Sequence, residues 1–191
     1  MNALRFKYIF RIMISFVRSI PARVVQRNGI KMNIRQCWEA TPYFRLSNNG
    51  EITIGKEFHP RKNVFLKAPG GRIQIGDKVF MNHNVCITSM GHIHIGDGTT
   101  IANNVVIVDH DHDFKSGNAE KFKIENIYIG DRVWIGANCT ILKGTTIGND
   151  SVIAAGSTVR GVIPQGSLFY QKRETCCEII KRQERNKNEE N

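Results

Sequence analysis

The stretch IGDRVWIGANCTILKGTTIGNDSVIAAGSTV, Ile129 to Val159, decides the fold, because its branched aliphatics recur every six residues. Stepping by six from Ile129 gives Ile135, Ile141, Ile147, Ile153 and Val159. The same step upstream gives Ile95, Ile101 and Ile107, then Ile75, Met81 and Ile87, then Ile54, Pro60 and Leu66. Only Pro60 among these is not a sizeable apolar side chain. Gly follows the aliphatic at Ile54, Ile75, Ile95, Ile129, Ile135 and Ile147, where tight turning of the backbone is expected. Four residues after each late aliphatic stands a short side chain: Val133, Cys139, Thr145, Ser151, Ser157. A helical period of 3.6 does not produce this pattern, and simple alternation does not predict the glycines. Three short strands per turn, each turning one aliphatic inward, predict both.

Grouped in threes, the aliphatics define five coils opening at Ile54, Ile75, Ile95, Ile129 and Ile147. A repeat of this kind is a solenoid whose stacked interior replaces a conventional core. Burial of each Ile contributes roughly 1.5–3 kcal/mol, enough in sum to hold the stack without core helices. Cys139 falls on a small inward position and is expected to pack there. The solenoid needs covered ends, and the PYFRLSNN stretch and the segment from Leu168 are the candidates. The count slips by three residues between Leu66 and Ile75, by two between Ile87 and Ile95, and by sixteen between Ile107 and Ile129. An excursion of that last size at a solenoid corner points to function, and it opens on the polar run VDHDHDF.

Charge and cysteine usage exclude other classes. The net charge is +10, yet residues 1–31 hold seven Lys/Arg (Arg5, Lys7, Arg11, Arg18, Arg23, Arg27, Lys31) and no acid, leaving +3 for the rest. This is a basic arm on a nearly neutral body, without the basic stripe and interleaved aromatics of a nucleic-acid binder. The five cysteines form no C-x-x-C pair, which reads as free thiols in a reducing compartment. Arg11 and Arg18 interrupt the N-terminal apolar run, so it makes a poor signal peptide or membrane span. A cytoplasmic setting follows, with peripheral contact at the inner face of the membrane kept open.

The hexads, and V-W-I-G at Val133–Gly136 ahead of three regular ones, resemble the hexapeptide-repeat acyltransferases, notably the maltose/galactoside acetyltransferase-like sugar O-acetyltransferases. The likeness runs from about Ile52 to Pro164. It implies an all-β fold: a left-handed parallel β-helix over 32–165 with an inserted loop at 108–128. An N-terminal helical arm (1–31) and a short C-terminal capping segment with tail (166–191) flank it. It further implies a homotrimer with acetyl-CoA, the acyl donor, bound between neighbouring solenoids, and a sugar or glycan as acceptor.

The loop chemistry fits that role. A thioester is already activated, but a sugar hydroxyl is a feeble nucleophile until a base takes its proton. A neutral imidazole suits, with an unperturbed pKa near 6.5, and a hydrogen-bond donor should hold the developing oxyanion. Composition does not choose between His110 and His112. Matching the family pattern without gaps from MNHNVCITSMGHIHIGD onward implies His112 as the general base and Asn82 as an acceptor-binding residue. His83 and His110 lie beside these and are candidate acceptor contacts. The family's acidic acceptor contact falls on Met90, which leaves the acceptor's identity open. His92 and His94 flank Ile93 in a strand and are expected to point outward. Solenoid carbonic anhydrases bind zinc through a histidine pair five apart plus a third, but the residue five after His110 is Lys115, so no metal is expected.

For acetyl-CoA, Trp134, Ala137 and Ala155 match family positions along the groove, the alanines acting through backbone groups; Trp134 could equally pack the inserted loop. The family's Thr-Lys after the last hexad is Arg160-Gly161 here, and its later basic positions fall on Thr175 and Glu178. Arg160, Lys172 and Arg173 are the substitute phosphate partners. In the arm, Phe6, Ile9, Met13, Phe16 and Ile20 share one helical face, with Lys7, Arg11 and Arg18 opposite. Such a helix lies on anionic lipid, making peripheral membrane contact through residues 1–27, or packs on the trimer. The expected activity is acetyl-CoA-dependent O-acetylation of a sugar hydroxyl in bacterial surface polysaccharide biosynthesis. The alternatives are N-acetylation of amino sugars, a drug-acetylating relative, or a non-catalytic trimeric scaffold.

Overall fold

The computed structural model describes residues 9–10, 12–20, 29–118, 121–172 and 174. Short strands wind around three faces in strict rotation. The first face holds seven parallel strands: Ile30–Met32, Glu51–Ile54, Arg72–Ile75, His92–Ile95, Ile127–Ile129, Thr146–Ile147 and Val162–Ile163. The second holds His59–Pro60, Phe80–Met81, Thr100–Ile101, Trp134–Ile135, Val152–Ile153 and Leu168–Phe169. The third holds Tyr43–Ser47, Phe65–Pro69, Cys86–Thr88, Val106–Val108, Thr140–Ile141 and Thr158–Val159.

The hexad positions set the register. Ile101 pairs with Ile135, and Ile135 with Ile153, so each aliphatic stacks on its counterpart one coil away. All fifteen are buried. Pro60 is no exception: it pairs with Met81 and faces inward, at the start of its sheet where its missing N–H costs no ladder bond. The short residues Val133, Cys139, Thr145, Ser151 and Ser157 are buried beside the aliphatics. The Cys139 thiol donates to the Ala154 carbonyl at 3.2 Å, and burial raises its pKa.

The glycines after the aliphatics serve a different need from the one expected. Gly55, Gly76, Gly96, Gly130, Gly136 and Gly148 do not adopt positive φ. They lack a Cβ because the next coil leaves no room for one: on Gly136 it would lie 2.6 Å from the Ala155 nitrogen. Positive φ falls two residues later, at Glu57, Lys78, Gly98, Arg132 and Asp150, and again at the corner between the second and third faces. There Asn63, Asn84, Asn104 and Asn138 sit at φ 58–61°, the left-handed region that Asn tolerates better than most residues. Their side chains form a ladder, each Nδ2 donating to the next Oδ1 at 3.0, 2.9 and 3.0 Å.

The PYFRLSNN stretch supplies the end strand of the third face, against Phe65–Pro69. Helical backbone at residues 9–10 and 12–20 lies at that same end. It attaches through Ser15 Oγ and Arg18 Nη1, which donate to the Trp38 carbonyl at 3.2 and 3.3 Å, and Arg18 also donates to the Glu39 carbonyl.

Candidate active site

The long insertion leaves the corner between the third and first faces as a two-stranded ribbon. His110–His112 pairs antiparallel with Phe122–Ile124, setting His110 opposite Ile124 and His112 opposite Phe122. Alternation along a strand puts both imidazoles on one side of the ribbon and Asp111 on the other. The rings pack on Phe122, with centroids 5.5 Å away for His110 and 4.5 Å for His112. His110 is half-buried, whereas His112 is exposed. A shallow cleft of about 300 Å³ runs beside it, lined by His112, Asp113, Phe114, Gly117 and Asn118.

Two buried charges tie the ribbon to the coils. Asp109 is fully buried. It accepts hydrogen bonds from Ser89 Oγ (2.6 Å), the Met90 amide (2.8 Å) and the Gly91 amide (2.9 Å). Its Oδ1 also lies 3.0 Å from His110 Nδ1. The same carboxyl group thus bonds the backbone of the neighbouring coil and fixes the His110 ring. On the other side of the ribbon, the nearly buried Lys143 ammonium meets Glu125 Oε1 at 2.6 Å and Asp111 Oδ2 at 3.6 Å. Lys143, and then Arg160 at 3.3 Å, lower the Glu125 pKa. Both strands of the ribbon are thus held by one ammonium.

Sequence reasoning missed Asp109, Glu125 and Lys143, though a signal existed. Stepping two residues beyond the third-face aliphatics Ile87, Ile107 and Ile141 gives Ser89, Asp109 and Lys143, all three buried. Polar residues on an inward register mark the corner where the repeat does something other than pack.

The other sequence-assigned residues distribute over two corners. Asn82, His83, Ala137 and Ala155 lie at the corner between the second and third faces, following Phe80–Met81, Trp134–Ile135 and Val152–Ile153. Asn82 Oδ1 accepts the His83 amide at 2.9 Å. The Ala137 carbonyl is engaged by the Gly156 amide at 2.7 Å. Trp134 stands 55% exposed on the second face, so it does not pack beneath the ribbon. Arg160 belongs to the ribbon corner, paired with Glu125. Lys172 is exposed beyond the last strand, and Arg173, Thr175 and Glu178 lie outside the described residues.

Within one chain, then, His112 and Arg160 share one corner while Asn82, His83, Ala137 and Ala155 share another. Among the described residues no three His, Cys, Asp or Glu side chains converge on a point that could hold a metal ion. His92 and His94 face outward from the first face. Burial, then His94 and Arg72, lower the His92 pKa.

Three parallel sheets wound around a six-residue repeat define the class of hexapeptide-repeat β-helices. The family model "Bacterial transferase hexapeptide (six repeats)" matches residues 126–161. The chain is 37% identical over 136 residues to the putative lipopolysaccharide biosynthesis O-acetyl transferase WbbJ of Escherichia coli (strain K12), covering 65% of this chain and 69% of that protein. It is 39% identical over 117 residues to the galactoside O-acetyltransferase of the same strain, covering 59% and 56%. Two solved structures share the fold. AntD, an N-acyltransferase from Bacillus cereus, was solved as a variant with dTDP-4-amino-4,6-dideoxyglucose and coenzyme A. It matches with TM-score 0.63 at 17% identity, covering 78% of this chain and 82% of that one. A hexapeptide-repeat acetyltransferase from Vibrio cholerae O1 biovar eltor, complexed with acetyl coenzyme A, gives TM-score 0.52 at 24% identity, covering 87% and 84%. The chain belongs to the hexapeptide-repeat acyltransferase family, and its enzymatic class is that of an acyltransferase.

Proposed function

We propose that the protein is an acetyl-CoA-dependent O-acetyltransferase that modifies a sugar hydroxyl during cytoplasmic assembly of bacterial surface polysaccharide, working as a homotrimer. The observation that carries this reading is an exposed His112 on a ribbon that buried charges hold rigidly beside a cleft. The likeness to WbbJ supports the polysaccharide setting.

In this mechanism His112 accepts the proton of the sugar hydroxyl as the oxygen attacks the thioester carbonyl. Asn82 orients the acceptor. The C–O bond forms, the tetrahedral adduct collapses, and the C–S bond breaks. The imidazolium returns its proton to the departing thiolate, so no acyl-enzyme forms. His110, clamped by Asp109, supports the ribbon geometry and lines the acceptor side with His83.

The separation of His112 from Asn82, Ala137 and Ala155 onto different corners supports the trimer. One chain's ribbon needs the groove-bearing corner of another chain to complete a site, as closed cyclic symmetry supplies. Trp134 and Ala155 would then contact the acyl donor, with Lys172 and Arg173 toward its phosphates. Arg160, engaged by Glu125, takes up that second role only if the pair opens.

His112→Ala is expected to lower kcat by about 10²–10⁴-fold, with circular dichroism and sedimentation unchanged. Unaltered turnover would sink the assignment. Assembly of His112→Ala chains with Asn82→Ala chains is expected to restore part of the activity that each lacks alone. Failure to restore any would mean that base and acceptor residue do not meet across subunits.

A further inference from the structure

We infer that the outward face of the N-terminal helix is a docking surface for an anionic lipid bilayer. The helix is mounted with its polar side inward. Ser15 and Ser19 are fully buried against the end of the solenoid, and Ser15 and Arg18 attach to the Trp38 carbonyl. Its outward side presents Ile9, Phe10, Met13, Phe16, Val17 and Ile20, each between 41% and 64% exposed. At 100° per residue these six form one stripe roughly 120° wide, opposite the two serines. Ile34, 62% exposed, extends the stripe onto the body, and an open apolar groove of about 840 Å³ runs between it and the helix.

A helix that only needed to cover its own solenoid would turn this stripe inward, because burial of apolar area drives such packing. Here a short polar contact holds the helix and the larger apolar face is left for something else. Charge selects the partner. The first 31 residues carry seven cations and no acid, and the first acid in the chain, Glu39, is already paired with Arg61 at 2.9 Å. A segment of that composition is attracted to the negative surface of an anionic bilayer. An apolar stripe on a strongly basic segment lies in the headgroup layer without crossing it. Consistent with that mode, no helix among the described residues is long and apolar enough to span a membrane. The surface shares no residue with the ribbon, so the inference stands apart from the acyl-transfer reading.

The test is co-sedimentation of the full-length protein with vesicles of phosphatidylcholine alone and of phosphatidylcholine mixed with phosphatidylglycerol. The wild-type protein should bind the anionic vesicles at least tenfold more tightly than the neutral ones, and high salt should weaken that binding. The double variant Phe10→Asp/Val17→Asp should lose at least tenfold in affinity while keeping its circular dichroism spectrum and its sedimented mass. Equal binding of wild-type protein to both vesicle types would overturn the inference without reliance on any variant. A fall in the variant's sedimented mass would overturn it too, since the stripe would then be a contact between copies.

Discussion

The two corners of the third face obey different rules. At the corner shared with the second face, the same residue recurs coil after coil: Asn63, Asn84, Asn104 and Asn138, each in the same left-handed conformation and each bonded to the next. At the corner shared with the first face, the corresponding positions differ in every coil. They hold Gly70-Gly71, then Met90-Gly91, then the ribbon, then Lys143-Gly144, then Arg160-Gly161. Repetition stabilises by stacking like on like, and it engages the ladder amides with one another. Variation exposes side chains, and single-use contacts such as Asp109 and Lys143 must then hold them. A solenoid can combine a stacked ladder at one corner with single-use contacts at another because each coil contacts only its neighbours.

The hardest way to break the contrast is to attack what both corners share. Ile101 is fully buried and paired with Met81 and Ile135 in adjacent coils. Ile101→Asp would place an unpaired carboxylate in the stack, where neither neighbour offers a proton or a cation. Such a charge costs several kcal/mol, comparable with the whole stability of an ordinary domain. The expected outcome is loss of cooperative thermal unfolding and of soluble protein. A cooperative transition within a few degrees of wild type would mean that the coils do not depend on their common core.

Lys143→Met separates the corners. The substitution keeps an unbranched apolar stem where Lys143 is buried but removes the ammonium that Glu125 and Asp111 share. Both carboxylates are about half exposed and can take up water, so the cost to global stability is expected to be only about 1 kcal/mol. The effect on the ribbon should be larger than that figure conveys. Amide exchange across 109–126 should accelerate, exchange across 129–159 should not, and kcat for acetyl transfer should fall about tenfold or more as His112 loses its fixed position. Equal protection in both regions would show that the ribbon holds itself. The same logic gives a pH direction. Glu125 titrates below its ordinary value because of Lys143, so its contribution is present above that ordinary value and disappears as pH falls through the depressed one.

These contrasts also explain what the sequence disclosed. The aliphatic period was legible because a solenoid interior repeats its demand at fixed spacing, and Pro60, the one exception to it in the sequence, still faces inward. The insertion was legible as an interruption, and its two histidines stood out as candidates for chemistry. Three features were hidden. Glycines look alike whether they supply positive φ or merely empty space, and here Gly96 and Gly136 supply space. Asp109 and Lys143 resembled ordinary surface charges, because a search for recurring aliphatics passes over polar residues in the inward register. The helix was recognisable as amphipathic, yet only its attachment through Ser15 and Arg18 revealed which side faces out.

The smallest effect probes the ordered corner. Asn104 accepts from Asn84 and donates to Asn138, and its φ is 60°. Two changes distinguish the ladder from the backbone demand. Asn104→Ala removes both bonds and leaves a Cβ residue with no polar side chain in the left-handed region, where the conformation alone costs roughly 1–2 kcal/mol. Asn104→Gly removes the same bonds but accepts that conformation freely. The bonds are exposed, so the ladder itself should contribute no more than about 1 kcal/mol. Denaturant unfolding should therefore rank wild type above Gly and Gly above Ala. If Gly and Ala were equally destabilised, stacking of the side chains and not the turn conformation would be the reason this corner repeats its asparagine.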